Sequence, residues 1–276
     1  MNISPITPSS FGVAADLLDR GFPEVGDRGF WLRVLNRIER WRPQGAAYPS
    51  GFFLEMDAAI KGVVLTPSSR RAGLQDRTVV NFSSWYVEPS ARAMAPLMLR
   101  KLSSAAEVQF TDLTASPAVA RMLPTLGFQL MSTQSMVILT ALLARRSQVV
   151  VGAEQVSDAD RQLVQDHLNL GCLVCGLKVD DAVHPLIFLP RTRRKILPSA
   201  QLIYAPSRRA VYDNLPAICA FLLKRGRLFA EIDLEPGRIP SVPHFKRPAS
   251  RFVKGGTDPD KIDFAYSEFV YLEGVV

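Results

Sequence analysis

The sequence has no glycine-rich phosphate loop, no serine framed as a nucleophile elbow, three histidines and three cysteines. The first two absences remove the common nucleotide cradle and the common serine hydrolase arrangement. His167, His184 and His244 are scattered, with no second histidine or carboxylate at ligand spacing, so no metal is expected. Cys172, Cys175 and Cys219 lie among apolar residues and are too few for a disulfide framework, which fits a reducing compartment. Cys172-Leu-Val-Cys175 has redox or metal spacing, but residues three apart on a strand point to opposite faces, and the pair reads as core. Long apolar runs are missing too. The longest, near Met136 to Ala144, is cut by Arg145-Arg146 before it could span a bilayer, and the opening Met-Asn-Ile-Ser-Pro lacks a basic stretch followed by an apolar one. No membrane partner is expected, and the expected location is the cytoplasm.

What is present is an ordinary globular composition, 47% hydrophobic and 21% charged over 276 residues, enough for two domains of common size. The net charge of +7 raises the question of nucleic acid. Split at Ser147, the first part carries 16 Lys and Arg against 11 Asp and Glu (+5), the second 17 against 15 (+2), and neither contains a basic tail. The densest runs, Arg70-Arg71 and Arg191 to Lys195, fall between strand-like segments and read as solvated hairpin loops; nucleic acid is not an expected partner.

Along the chain, Ser9 or Ser10 caps a helix running to about Arg20, and Asp27 caps a second one through Trp41, with Phe30, Trp31, Val34, Leu35 and Ile38 at helical spacing. Gly51 to Met56 and Lys61 to Thr66 read as strands. The stretch from Thr78 to Phe128 organises the rest: a strand to Val87, a turn at Glu88-Pro89, a short loop holding Arg92, and a helix entered through Pro96. A strand from Val108 to Leu113, a helix opening at Ser116-Pro117 and a Gly127-Phe128 stop complete it. Strand, loop and helix start in that order suit a phosphate, because the first turn of a helix has unpaired N–H donors and a positive dipole end. A final strand pair is expected over Gln129 to Leu143.

The second half repeats the marks of the first. Pro67-x-x-Arg70-Arg71 recurs as Pro190-x-x-Arg193-Arg194, Pro89-Ser90 as Pro206-Ser207, and Thr111-Asp112-Leu113 as Ile232-Asp233-Leu234. Between them, Gly171 to Leu177 and Pro185 to Leu189 read as a strand pair, Ala200 to Tyr204 as a strand and Asp213 to Arg225 as a helix. Ser157 to Asp160 opens the preceding helix as a capping box. Pro236 to Gly256 is proline-rich and basic, with the length of a lid or wrap. The expected boundaries are 1–146 and 147–276.

The order of elements in Thr78 to Phe128 resembles the cofactor-binding half of the GNAT superfamily of acyl-CoA N-acyltransferases. Val87, Pro89 and Arg92 match the spacing of that family's Val, Pro and Arg, and Ser116 to Phe128 has the length and the closing Leu-Gly-Phe of its helix after the fifth strand. The resemblance implies an α+β class, a three-layer αβα mixed sheet duplicated in tandem, and acetyl-CoA or another acyl-CoA as co-substrate with a small-molecule or peptide amine as acceptor. It implies cofactor contacts at Tyr86, Val87, Arg92, Ala93, Met94, Ala95, Leu97 and Ser116. Three departures bear on chemistry: Leu97 is bulky where a small residue is usual, Leu123 replaces a proton-giving Tyr, and Ser83 replaces a carboxylate. The catalytic candidates are then Ser83, Tyr86 and Asp112. A ligand-binding or regulatory protein with a decayed site is the alternative, and a transferase using aminoacyl-tRNA, like the Fem family, is the third reading.

Overall fold

The computed structural model describes residues 1–42, 48–71, 77–194, 196–235, 237, 240–256, 258 and 260–272, and of Arg71 and Arg77 the backbone alone. Contacts divide the chain into two units, the first made of 1–130, 251–257 and 266–276, the second of 131–250 and 258–265. Relative to halves at 1–146 and 147–276, Met131 to Leu139 joins the second unit, where it pairs with the strand Phe229–Asp233, and two later segments return to the first.

The first unit runs β1 (Asn2–Pro5), α1 (Phe11–Gly21), α2 (Arg28–Trp41), β2 (Gly51–Met56), β3 (Ala59–Leu65), β4 (Ser68–Arg71), β5 (Arg77–Val87), α3 (Ala95–Leu102), β6 (Val108–Asp112) and α4 (Pro117–Met122). Asp27 caps α2, its carboxylate accepting from the Phe30 N–H at 2.7 Å, and Trp31, Val34, Leu35 and Ile38 then fall on one buried face. The sheet order is β1-β2-β3-β5-β6. β5 is long enough to take β4 along its first half, with Arg70 opposite Thr78, and β3 along its second, with Val63 opposite Tyr86. On its other edge it runs parallel to β6 from Thr78–Val108 to Phe82–Asp112. Phe82 stacks on Phe110 at 5.5 Å, and Leu99, Met98, Leu123 and Phe128 close the core around them.

The second unit follows the same plan: β7 (Gln129–Leu139, from Met131), α5 (Thr140–Leu143), β8 (Val150–Val151), α6 (Arg161–Asn169), β9 (Leu173–Val179), β10 (Ala182–Arg193), β11 (Leu197–Ala205), α7 (Arg208–Asp213), α8 (Leu215–Lys224) and β12 (Phe229–Asp233). The hairpin β10–β11 carries Arg193 opposite Leu197, and β11 then runs parallel to β12, with Ala200 opposite Ala230. Each unit thus places its Pro-x-x-Arg-Arg at a hairpin that feeds a parallel strand pair, and Asp112 and Asp233 close the second strand of that pair.

Four local expectations change. Gln129 to Leu143 is one strand and a helical turn, because Thr140 turns back to bond Leu228 O through its N–H and Arg227 O through its hydroxyl. The helix expected over Asp213 to Arg225 begins at Leu215, as α8, and a separate α7 precedes it, since Asn214 ends α7 and Pro216 has no N–H to continue it. Ser157 does not cap a backbone N–H; its hydroxyl donates to Asp160 within a 3-10 turn. Of the proline-rich segment, residues 236, 238 and 239 lie outside the described ones, and Phe245–Lys254 is a strand, β13, of which Phe252 to Lys254 pair with β6 in the first unit. After β14 (Ile262–Asp263), in the second unit, the chain ends its described part in the first as α9 (Glu268–Tyr271).

Candidate active site

β5 and β6 pair only as far as Phe82 and Asp112. Beyond that point β5 stays with β3, and the strand carries an extra residue: Val63 to Leu65 on β3 faces Tyr86 to Ser83 on β5. Ser84 takes up this bulge at φ +47, a left-handed conformation that a side chain adopts at a cost of about 1 kcal/mol. The bulge turns β5 away from β6 and opens a cleft of about 250 Å3 between the strand ends. The turn after it is fixed by Glu88, whose carboxylate binds Lys61 at 2.9 Å and Arg20 at 3.2 Å, and is held below the usual carboxylate range by the Lys61 contact first. The Glu88 N–H donates to Lys61 O. Backbone groups alternate sides along a strand, so the Val87 N–H faces the edge from which β6 has parted.

Ser83, Asp112 and Ser116 line this cleft, together with Trp31, Trp85 and Thr114. The other expected positions lie elsewhere. Tyr86 stands against α1, where a Cβ on Gly21 would come within 2.4 Å of its ring. Arg92, Ala93 and Leu97 are exposed, while Met94 and Ala95 are half-buried against the core. Residues Pro89–Met94 form a 3-10 helix that leads into α3, in place of an open loop, and its turns use the N–H groups of Ala91 and Ala95 on Glu88 O and Arg92 O. Leu123 is fully buried in the core, with no polar atom to give a proton.

Asp112 is 8% exposed. Burial pushes its carboxyl up to about 7, against the opposing effects of the Thr114 N–H, which it accepts, and of Arg251. Among the described residues the hydrogen-bond partner of the Ser83 hydroxyl is the Ser84 hydroxyl at 3.3 Å, which is no base to activate it. The sequence reading missed Glu268. The Thr114 hydroxyl donates to Glu268 Oε1 at 3.1 Å, the Glu268 N–H donates to Asn81 Oδ1 at 3.0 Å, and Asn81 Nδ2 donates to Thr111 Oγ1 at 3.1 Å. Arg251 donates to Leu113 O and sits over the Phe269 ring. No local pattern marks Glu268 or Arg251, because both reach the site from the last segments of the chain.

The corresponding places of the second unit are filled by the chain itself. β14 pairs with β11 at Tyr204 and Ala205, beyond the last β11–β12 pair at Gln201–Glu231, and Phe264 N–H donates to Ile203 O. At α7, Asp260 accepts the Arg208 N–H on its carbonyl and the Arg209 N–H on its carboxylate at 3.0 Å, and Ser207 accepts from Ala210. Arg208 is fully buried and donates to Asp233 O. Of the basic pair of the β10–β11 hairpin, Arg193 is engaged: it binds Glu231 at 3.2 Å, which Arg247 also holds at 3.0 Å. Cys175 and Cys219 are buried thiols pushed up to about 12 by desolvation and stay protonated at neutral pH. No described helix is long and apolar enough to cross a membrane.

No protein-family model matches the chain, and no curated protein matches it. Solved structures do. A GCN5-related N-acetyltransferase from Anabaena variabilis aligns over 91% of this chain and 72% of its own at 11% identity and TM-score 0.56. One from Kribbella flavida aligns over 91% and 70% at 13% identity and TM-score 0.54. A tandem GNAT protein from the clavulanic acid biosynthesis pathway aligns over 93% of this chain and 99% of its own, at 11% identity and TM-score 0.50. At such identities the likeness shows the fold, and the fold is α+β, GNAT-like, with a mixed sheet and helices.

Proposed function

We propose that this chain, with its GNAT-like fold in two related units, is a cytoplasmic acyl-CoA-dependent N-acyltransferase that works in its first unit and transfers an acyl group, acetyl in the simplest case, to a small-molecule or peptide amine. The observation that carries the reading is the parting of β5 from β6 after Phe82–Asp112, with a largely apolar cleft at the point of divergence into which Asp112, Ser83 and Thr114 bring polar groups. A bound acyl-CoA would supply an activated thioester carbonyl. The Val87 N–H, on the edge of β5 that faces away from β3, polarises that carbonyl in this scheme. Arg92, exposed at the turn before α3, is a cation for the phosphates, with Tyr86, Ala93, Met94, Ala95 and Leu97 around the same turn and Ser116 at the cap of α4 on the pantetheine side.

Asp112 is the proton acceptor of this scheme. Its carboxylate takes a proton from the incoming ammonium, and the freed nitrogen lone pair attacks the carbonyl carbon. As the C–S bond breaks, the second nitrogen proton goes to the leaving sulfur, either directly or through water, since Leu123 gives none. A carboxyl pushed up to about 7 suits this task, being about half ionised at neutral pH and basic enough to hold the proton. Tyr86 and Ser83 take no proton step in this scheme: Tyr86 packs on α1, and Ser83 lines the cleft as a polar wall.

The test is calorimetry of the full chain with acetyl-CoA and longer acyl-CoAs. One site is expected, weakened about tenfold or more by Arg92→Glu, with Asp112→Asn keeping the site and losing turnover. No heat with any acyl-CoA up to millimolar concentration removes the enzyme reading and leaves the ligand-binding one, which the burial of Leu123 favours.

A further inference from the structure

The scheme above uses Asp112 and leaves a second buried acid beside it unexplained. Glu268 is 1% exposed, and its Oε2 has no hydrogen-bond partner among the described residues. Thr114 joins the two acids: its backbone N–H donates to the Asp112 carboxylate and its hydroxyl to Glu268 Oε1. Arg251 is the cation that acts on both. Two ionised carboxylates and one guanidinium would leave a buried excess of one negative charge, whereas one added proton makes the cluster neutral.

We propose that Glu268 is a positioning residue that carries this proton on Oε2 as a neutral carboxylic acid, so that Asp112 meets the cleft as the single carboxylate of the pair. The proton sits on Glu268 because Glu268 is the more deeply enclosed of the two, whereas Asp112 borders the cleft. Burial first and the Asp112 charge second push Glu268 up to about 8. Neutral Glu268 still accepts the Thr114 hydroxyl on Oε1 and so fixes the residue whose N–H orients Asp112. It also keeps a second negative charge away from the acyl-transfer centre at neutral pH. The role in acyl transfer rests on the acyltransferase reading; the single proton does not.

Carbon-13 carboxyl titration of the full chain, with labelled aspartate and glutamate, tests the inference. The Glu268 resonance is identified by its loss in Glu268→Gln, which keeps an acceptor for Thr114, or by its response to Thr114→Val where that variant fails to fold. Glu268 should remain protonated through pH 7, and Asp112→Asn should lower its midpoint by about one unit. Thr114→Val should raise the Glu268 midpoint, and Thr114→Ser, which restores the hydroxyl, should bring it back. A Glu268 that ionises near its ordinary value of about 4.3 overturns the proposal, as does a midpoint that Asp112→Asn leaves in place. Absence of acyl-CoA binding would count against the acyltransferase reading alone, because none of these titrations uses a ligand.

Discussion

Thr114 and Glu268, 154 positions apart in sequence, meet through a 3.1 Å hydrogen bond at the mouth of the gap between β5 and β6. The contact brings the last described helix of the chain to the strand end that carries Asp112. It makes α9 part of the candidate site.

Stability should depend on pH through this pair. Both carboxyls are pushed above their unfolded values, Asp112 to about 7 and Glu268 to about 8, so the folded state binds protons that the unfolded state has already released. Their contribution is fully present below about pH 4 and is lost as pH rises toward 8, a change of order a few kcal/mol. Urea unfolding at pH 5 and pH 8 should show the fall. The double variant Asp112→Asn, Glu268→Gln should flatten it; an equally steep fall in that variant would mean that other groups are responsible.

The second unit should bind no acyl-CoA. Asp260 and β14 already occupy the helix start and the strand gap that a ligand would use. Arg209→Glu should therefore leave acyl-CoA affinity within about twofold of the parent, while Asp260→Ala should lower stability by about 0.5–2 kcal/mol, as the loss of a capping carboxylate does. A second site in calorimetry of the unaltered chain would contradict this.

Restoring a tyrosine at position 123 should not restore an acid. Leu123 is fully buried beside Met98, Leu99 and Phe128, so Leu123→Tyr forces a larger side chain and a hydroxyl into a filled core. We expect a loss of about 1–3 kcal/mol in denaturant unfolding and no gain in turnover. Leu123→Ala should cost about 2–5 kcal/mol.

Binding to RNA or DNA should be weak at physiological salt. Arg193 is held by Glu231, and Arg208 is buried. Fluorescence anisotropy with a labelled oligonucleotide should show little binding at 150 mM salt. A tight complex that weakens steeply with salt would instead bring the aminoacyl-tRNA reading forward.

The sequence by itself determined most of the elements and their order. Period and caps placed α2 behind Asp27, the Pro-x-x-Arg-Arg repeat marked the two hairpins, and Asp112 and Asp233 were placed at matching strand ends, because these are signals between residues a few positions apart. The same local reading put the cofactor turn at Val87 to Leu97 but gave no sign of the 3-10 helix over Pro89–Met94 or of the bulge at Ser84, neither of which has a glycine to announce it. Only the tertiary structure decided which acids meet. Glu268, Arg251 and Asp260 act at a distance of tens to more than a hundred residues from their partners, and their positions follow from where the folded chain returns. An acid's charge state depends on its burial and on the charges beside it in space, and neither is written in its sequence neighbours.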